Sequence, residues 1–378
     1  MIEKLRARID EIDNEIADLF NERMNVVKEI GEEKAKSGKT VVDHGREKSV
    51  INRVCSRVDE DKIIFTKQTF ETLFAVSKAY QTQLSVMGTA LSAEISKAIE
   101  ETPEVFPVSA TVACQGIEGA YSMLACEKLF GVSDILYFKD FNGVFSAIEK
   151  GLCSYGILPI ENSTAGSVRG VYDLILKHKF YIVRTIRLRV KHSLLAKKGT
   201  SMSDVRVVYS HEQAISQCDE FLKRHPEIEV RVVENTAVAA RTVSESEDKT
   251  VACISSPECA DVYGLKSLAT GIQDNESNFT RFICISRKME IYPGADKISL
   301  TLNLPHETGS LNKLLSRFSS LGLNLTKLES RPIGEVGEYS FFFDFDGDVR
   351  RFAVSNLLSE LSVSLEGFNF LGCYKEMS

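Results

Sequence analysis

The stretch Asp274-Asn275-Glu276-Ser277-Asn278-Phe279-Thr280-Arg281-Phe282 runs straight into the apolar Ile283-Cys284-Ile285. Polar side chains crowd the entry to a buried strand, so they sit at a strand end, where open α/β sheets hold their ligands. A solvated turn before a core strand would look the same, and pattern alone leaves both readings open. A second stretch shifts the balance towards a site. The apolar Ile157-Leu158-Pro159-Ile160 ends in Glu161-Asn162-Ser163-Thr164-Ala165-Gly166-Ser167.

Around these loops strand and helix signals alternate. Val112–Cys114 precedes the turn Gln115-Gly116-Ile117-Glu118-Gly119-Ala120-Tyr121-Ser122 and a helix reaching Phe130. Ile135–Phe138, Tyr155–Ile160, Phe180–Arg189, Lys191–Ala196, Val205–Tyr209, Val230–Val233, Val251–Ile254 and Phe282–Ile285 read as strands. Phe141–Lys150, Val168–Lys177, a segment from Ala214 through Leu222, and Thr236–Thr242 read as helices. Repeated β-turn-α units predict α/β sheets. The Gly-rich turn lacks both Gly-x-Gly-x-x-Gly and a Lys-Ser/Thr ending, which argues against a nucleotide site.

The chain before this region is helical. Apolar residues recur at Ile2, Leu5, Ile9, Ile12, Ile16, Leu19, Met24, Val27 and Ile30, a seam close to heptad spacing in its first half. Further helices are expected from about Arg46 to Val58 and from about Lys62 to Met87. One very long helix cannot fold back on itself, so a helical dimer is the natural way to cover it. Arg6 and Arg23 are 17 residues apart, roughly 25 Å along a straight helix, too far to hold one small ligand together. Arg23 and Lys34 are about three turns apart and share a face. From Gly88 to Val108 a helix fades into a linker. After residue 296, Ile298, Leu300, Leu302 and Leu304 alternate with polar residues, and the order of signals to Tyr374 is βαββαβ, the ferredoxin-like plan.

Whole-chain properties bound the function. A length of 378 residues suggests two or three domains. The formal charge of −7, with basic residues spread out, argues against nucleic acid as a partner. No apolar run reaches the roughly 18 residues of a membrane span, and the charged N-terminal pattern is not that of a signal peptide. Nine scattered cysteines show no zinc spacing. They are expected to be reduced in a cytoplasmic protein, with no disulfide, structural metal or cofactor.

The two opening loops together, Thr280-Arg281-Phe282 and Pro159-Ile160-Glu161-Asn162, resemble prephenate dehydratase. Ser210-His211-Glu212-Gln213, Gln217-Cys218, Asn235-Thr236-Ala237 and Asn278 extend the match. The resemblance implies two lobes around a cleft, like a solute-binding protein. It gives catalytic roles to Glu161, Asn162, Ser210, Gln217, Thr280 and Arg281. Thr280 would polarise the departing hydroxyl of prephenate, Arg281 would take a carboxylate, and Asn162, Ser210 and Gln217 would fix the rest. An Arg in this setting could instead staple two lobes. His211 is a candidate general acid, or simply a helix opener.

The N-terminal segment resembles the helical type of chorismate mutase, through Arg6, Arg23, Lys34, Asp43-His44-Gly45-Arg46-Glu47 and Ser77-Lys78-Ala79-Tyr80-Gln81. That family's intertwined dimer would carry Arg6 into the partner's site. Arg6, Arg23 and Arg46 would hold carboxylates, and Lys34 and Gln81 would donate to the ether oxygen. Asp43 and Glu47 would take a substrate hydroxyl or orient the cations, and Ser77 would pack or orient Gln81. The C-terminal segment resembles an ACT domain. Its marks are Gly309-Ser310-Leu311-Asn312 and Glu329-Ser330-Arg331-Pro332, and the resemblance implies phenylalanine as feedback effector.

The expected architecture is therefore multidomain. It comprises an all-α mutase domain (1–87) in an intertwined dimer, a linker (88–108), an α/β two-lobed dehydratase domain (109–287) and an α+β ferredoxin-like ACT domain (296–378). The expected partners are chorismate, prephenate, phenylalanine and further copies of the chain, a dimer at least. A non-catalytic amino-acid sensor on the same scaffold is the rival reading. A fusion of mutase with prephenate dehydrogenase would need a dinucleotide fingerprint, and none is present.

Overall fold

A computed structural model describes residues 1–37, 43–85, 89–333 and 339–378. The expected end of the third helix at Met87 and the linker start at Gly88 lie outside them. Helix α1 (Ile2–Ser37) runs 36 residues. The return helix α2 (His44–Cys55) is capped by Asp43, whose side chain accepts the Arg46 N–H at 2.9 Å. Helix α3 (Ile63–Ser85) then packs beside α1. Gly31 does not end α1. A Cβ there would meet Gln81 Cγ at 3.2 Å, so glycine lets the two helices approach. The far half of α1 finds no cover among the described residues, and Ile2, Leu5, Ile9, Ile16 and Leu19 are each more than half exposed.

The segment expected to fade is a regular helix, α4 (Ala90–Glu101), capped by Thr89. It buries Ile95 and Ala98 in one core with Ile298, Leu357 and Leu361 of the C-terminal domain. The chain between mutase-like and dehydratase-like regions is thus a packed element rather than a loose tether.

The central region forms two lobes on one plan. In the first, β1 (Ser109–Gln115), α5 (Tyr121–Leu129), β2 (Val132–Phe138), α6 (Phe141–Glu149), β3 (Tyr155–Asn162), the short β4 (Gly166–Ser167), α7 (Arg169–His178) and β5 (Tyr181–Arg189) follow in turn. The second holds β6 (Ser193–Ala196), β7 (Val207–Ser210), α8 (Glu212–Ser216), α9 (Asp219–Lys223), β8 (Glu229–Val232), α10 (Thr236–Glu245), β9 (Val251–Ser255), α11 (Cys259–Val262) and β10 (Lys266–Thr270). The chain then returns to the first lobe as β11 (Phe279–Ser286). The sheets read β2-β1-β3-β11-β5 and β8-β7-β9-β6-β10. In each, a parallel trio is completed by an antiparallel strand fed through the crossing between lobes. That crossing is paired with itself: Val190 N–H donates to Asn278 O at 2.8 Å, and Ile272 N–H to His192 O at 3.1 Å.

The single helix expected from Ala214 through Leu222 is two. Gln217 and Cys218 break it because Asp274 intrudes. Its N–H donates to Gln217 O at 2.8 Å, and its carboxylate accepts the N–H groups of Asp219 (3.0 Å) and Glu220 (3.1 Å), capping α9.

The C-terminal domain consists of β12 (Lys297–Leu304), α12 (Ser310–Ser320), β13 (Leu325–Pro332), β14 (Tyr339–Asp346), α13 (Phe352–Ser364) and β15 (Asn369–Met377). Its antiparallel order β13-β14-β12-β15 is the ferredoxin-like arrangement. One feature is new. Strand β15 passes the expected end at Tyr374, and Lys375–Met377 pairs in parallel with Arg184–Ile186 of β5. The C-terminal sheet and the first lobe are therefore one sheet of ten strands, β13-β14-β12-β15-β5-β11-β3-β1-β2 with β4 beside β3. Gly372 permits the junction: its φ is 148°, and a Cβ there would stand 2.1 Å from Ile182 O.

Candidate active sites

Strands β3 and β11 pair Asn162 with Thr280 and, one rung on, Glu161 with Arg281. Asn162 is buried, and its orientation follows from its neighbours. Oδ1 accepts the backbone N–H groups of Thr164 (3.0 Å) and Ala165 (2.9 Å), so Nδ2 must face the other way. There it donates to Thr280 Oγ1 and to Asn278 Oδ1, each at 2.9 Å. The Thr280 oxygen is thereby an acceptor in this bond, and its proton is left for another group. Asn278 is 1% exposed, and its Nδ2 has no partner among the described residues. One hydroxyl and one buried amide donor at this strand end are thus without an acceptor among the described residues.

Across the crossing, Gln217 sits at the break between α8 and α9. Its Oε1 lies 2.9 Å from His192 Nε2, and the His192 N–H donates to Gln273 Oε1 at 2.9 Å. His192 is 2% exposed and burial lowers its pKa, so it is the neutral imidazole with its proton on Nε2. Ser210 is fully buried at the end of β7 and donates to Ile254 O at 2.7 Å, tying two strands of the second lobe. His211 is the N-cap of α8, its Nδ1 accepting the Gln213 N–H at 3.2 Å. The lobes also touch directly. Tyr263 OH donates to Glu118 O at 2.6 Å, and Tyr121 OH ties the first lobe to the crossing by donating to Lys191 O at 2.6 Å.

Arg281 is placed away from this group. Side chains alternate along a strand, so Phe282 and Cys284 enter the core beneath α5, whereas Arg281, Ile283 and Ile285 face α6, α7 and the C-terminal domain. Arg281 as a whole is 7% exposed. It donates to Asp344 Oδ2 at 2.5 Å and Tyr374 OH at 2.8 Å, and Nε lies 2.9 Å from Glu376 Oε1. The expectation that it takes a substrate carboxylate gives way to the stapling alternative, and what it staples is the C-terminal domain. Glu161 likewise points there, 3.3 Å from Lys327 Nζ.

In the N-terminal region α1 and α3 run side by side. Arg23 Nη1 donates to Ser77 Oγ at 2.5 Å, and Ser77 Oγ donates to Leu73 O at 2.5 Å. Ser77 therefore bridges Arg23 to the backbone of α3. Gln81 is buried one turn further on and donates to Val27 O at 3.3 Å. Glu47 is paired with Lys78 at 2.8 Å. Arg46 is exposed, Lys34 is half-buried, and Arg6 is exposed near the far end of α1, outside this group.

In the C-terminal domain the Gly309 turn is exposed and has φ 86° at the start of α12. Its neighbour His306 stacks on Tyr339, which pairs with Pro332, so both expected effector motifs meet at one end of the sheet. Along β13, Lys327, Glu329 and Arg331 turn towards the first lobe. Glu329 Oε2 accepts from Ser167 Oγ at 2.5 Å, and Arg331 lies 3.6 Å from Asp173. Leu328, Ser330 and Pro332 are exposed.

Asn278 carries no assigned role on sequence grounds, and His192 no sequence signal at all. A buried Asn beside a polar loop and a His at a lobe crossing carry no mark in one sequence. All nine cysteines are free, eight of them buried. Among the described residues, no His, Cys, Asp and Glu cluster could hold a metal, and no helix is long and apolar enough to cross a membrane.

Comparison with known proteins agrees with this layout. The chorismate mutase type II family model matches residues 5–82, and the prephenate dehydratase model matches residues 112–290. A bifunctional chorismate mutase/prephenate dehydratase of Neisseria gonorrhoeae is 32% identical over 372 residues, covering 98% of this chain and 95% of the relative. The structure of a prephenate dehydratase from Arthrobacter aurescens in complex with L-Phe superposes with TM-score 0.64 at 30% identity, covering 70% of this chain and 89% of that one. A structure described as a novel type of quorum-quenching acylase superposes equally well, TM-score 0.64 at 30% identity, over 70% of this chain and 98% of that one. The fold thus does not by itself select an activity. The two family models and the full-length relative do, and this chain belongs to the family of bifunctional chorismate mutase/prephenate dehydratases.

Proposed function

We propose that the chain converts chorismate to prephenate on its N-terminal helices and prephenate to phenylpyruvate between the lobes. The first reaction breaks one C–O bond and forms one C–C bond with no proton transfer, so it needs a compact conformer and charge near the breaking ether. Arg23, oriented by Ser77, and Arg46 bind carboxylates. Lys34 and Gln81 serve the ether oxygen, with Asp43 and Glu47 holding the α2 start and Lys78. Arg6 acts in the site of a second copy, and the exposed seam of α1 is the surface that copy covers.

In the second reaction the C–CO2 bond pair enters the ring as hydroxide departs, leaving an aromatic product. The observation that carries this reading is the Asn162–Thr280 bond. It makes the threonine oxygen an acceptor inside the protein and aims its proton outward, at the departing hydroxyl. A threonine is too weak an acid to give up the proton outright, so it acts by hydrogen bonding. Asn278 is the second donor there, and Gln217, held by His192, and Ser210 shape the opposite lobe. Neither reaction transfers electrons to a carrier, so no cofactor is needed.

The C-terminal domain is read as an ACT module that takes phenylalanine at the Gly309–Asn312 turn and the Glu329–Pro332 strand, as a feedback inhibitor. Free, mostly buried thiols suit the reducing cytoplasm. The test is phenylpyruvate formation from chorismate by purified protein without added cofactor, with and without phenylalanine. Product that falls with phenylalanine supports all three assignments. Accumulating prephenate would overturn the dehydratase reading, and untouched chorismate would favour an amino-acid sensor.

A further inference from the structure

Two adjacent rungs of one ladder do different things. The Asn162–Thr280 rung holds the donors of the candidate dehydratase site, and the Glu161–Arg281 rung sends both its side chains into the C-terminal domain. Arg281 meets three groups there. Asp344 comes from β14, and Tyr374 and Glu376 from β15. Ser299 closes the cluster, lying 2.5 Å from both Asp344 Oδ1 and Tyr374 OH. Arg281, Asp344 and Tyr374 are all at most 7% exposed, so solvent cannot replace a lost partner.

A second line runs beside the first. Lys327 Nζ contacts Glu161 and donates to Ser167 Oγ at 2.7 Å, and Ser167 is itself paired with Glu161 across β4 and β3. Main-chain continuity supplies a third, because β15 pairs with β5 and β5 with β11. Lys327 and Glu329 lie on the lobe-facing side of the strand whose other side is exposed. A cavity of about 170 Å³, bordered by Glu161, Arg187, Phe279, Arg281 and Lys327, leaves this joint room to shift.

We propose that the Glu161–Arg281 rung is a positioning device for Thr280, through which ligand occupancy in the C-terminal domain sets the dehydratase rate. Arg281 follows Thr280 in the chain, so a displacement of its guanidinium turns β11 and re-aims the threonine hydroxyl. The effector's identity and the part of Thr280 in dehydration rest on the reading above; the ion cluster behind Arg281 does not. Coupling of this kind needs a physical element that both sites bias, and a buried ion cluster on a shared sheet is such an element.

The test uses full-length protein carrying Asp344→Asn or, separately, Lys327→Met. Phenylalanine binding is measured by calorimetry, dehydratase rate against phenylalanine, and hydrogen exchange over residues 277–284, with mutase rate as the control for folding. Both variants should bind phenylalanine, yet need at least tenfold more of it for half-inhibition, and exchange over 277–284 should no longer respond to it. Unchanged inhibition in both variants would overturn the proposal. If the unaltered protein binds no phenylalanine, the effector reading fails separately. The rung then still requires lower kcat at unchanged KM and faster exchange over 277–284 in the variants, and no change in either would sink it. Should Asp344→Asn fail to fold, Lys327→Met on the outermost strand decides alone.

Discussion

The N-terminal helices and the two-lobed region solve the problem of building a site in opposite ways. In the lobes the donors come from strand ends locked in register, and Thr280 is held by Asn162 directly across the β3–β11 ladder. On the helices, Arg23 and Gln81 are held by α3, while Arg6 and the seam from Ile2 to Leu19 project without cover. A sheet satisfies its polar groups by pairing with itself. A 36-residue helix satisfies its own backbone but leaves an apolar stripe that only another surface can hide. On the function proposed above, the first architecture completes its site by folding and the second would complete it by association with another copy.

Breaking each half separately sharpens that contrast. Thr280→Val removes the outward donor and keeps the side-chain shape. Dehydration should drop at least ~100-fold, with mutase rate unaltered in the same preparation, and a variant that still dehydrates prephenate would remove Thr280 from the chemistry. Ile9→Glu with Ile16→Glu puts charge on the uncovered seam. Mutase activity should fall at least ~10-fold while light scattering shows the particle losing a copy, because an unpaired charge is costly at a dry interface. Dehydratase activity should survive, and equal loss of both activities would contradict the division.

Smaller effects probe the lobes alone. Gly156→Ala places a Cβ 2.7 Å from both Ile148 Cδ1 and Val144 Cγ1. Overpacking there should destabilise the first lobe by about 1–3 kcal/mol in denaturant unfolding. His192 gives a pH signature. Its folded pKa lies below the ordinary 6.5 because of burial, so stability is complete above that value. As pH falls through 6.5 the unfolded chain takes a proton that the native site refuses, and stability declines until the folded pKa is reached, by at most about 1.4 kcal/mol per pH unit. His192→Gln should flatten this slope, and an unchanged slope would place the titration elsewhere.

Much of this was legible in one sequence. Heptad-like spacing marked α1, alternating polarity marked β12, and the two opening loops marked the strand ends that meet at Asn162 and Thr280. These signals are local, because periodicity and turn chemistry follow from backbone geometry within a few residues. Where a distant residue intervened, reading failed. The helix expected through Leu222 was broken by Asp274, 55 positions from its partner Asp219. Arg281 looked like a substrate ligand until its partners, Asp344, Tyr374 and Glu376, arrived from the far end of the chain.

The sequence by itself determined the order of helical, two-lobed and ferredoxin-like regions and most element types, and it nominated candidate residues for each part. Only the tertiary structure decided which way those residues face. Strand pairing brings Asn162 to Thr280, and the extension of β15 onto β5 turns two expected domains into one continuous sheet. The physical reason is that side-chain type is written residue by residue. The partner that orients a buried polar group is chosen by long-range packing, and no local pattern records it.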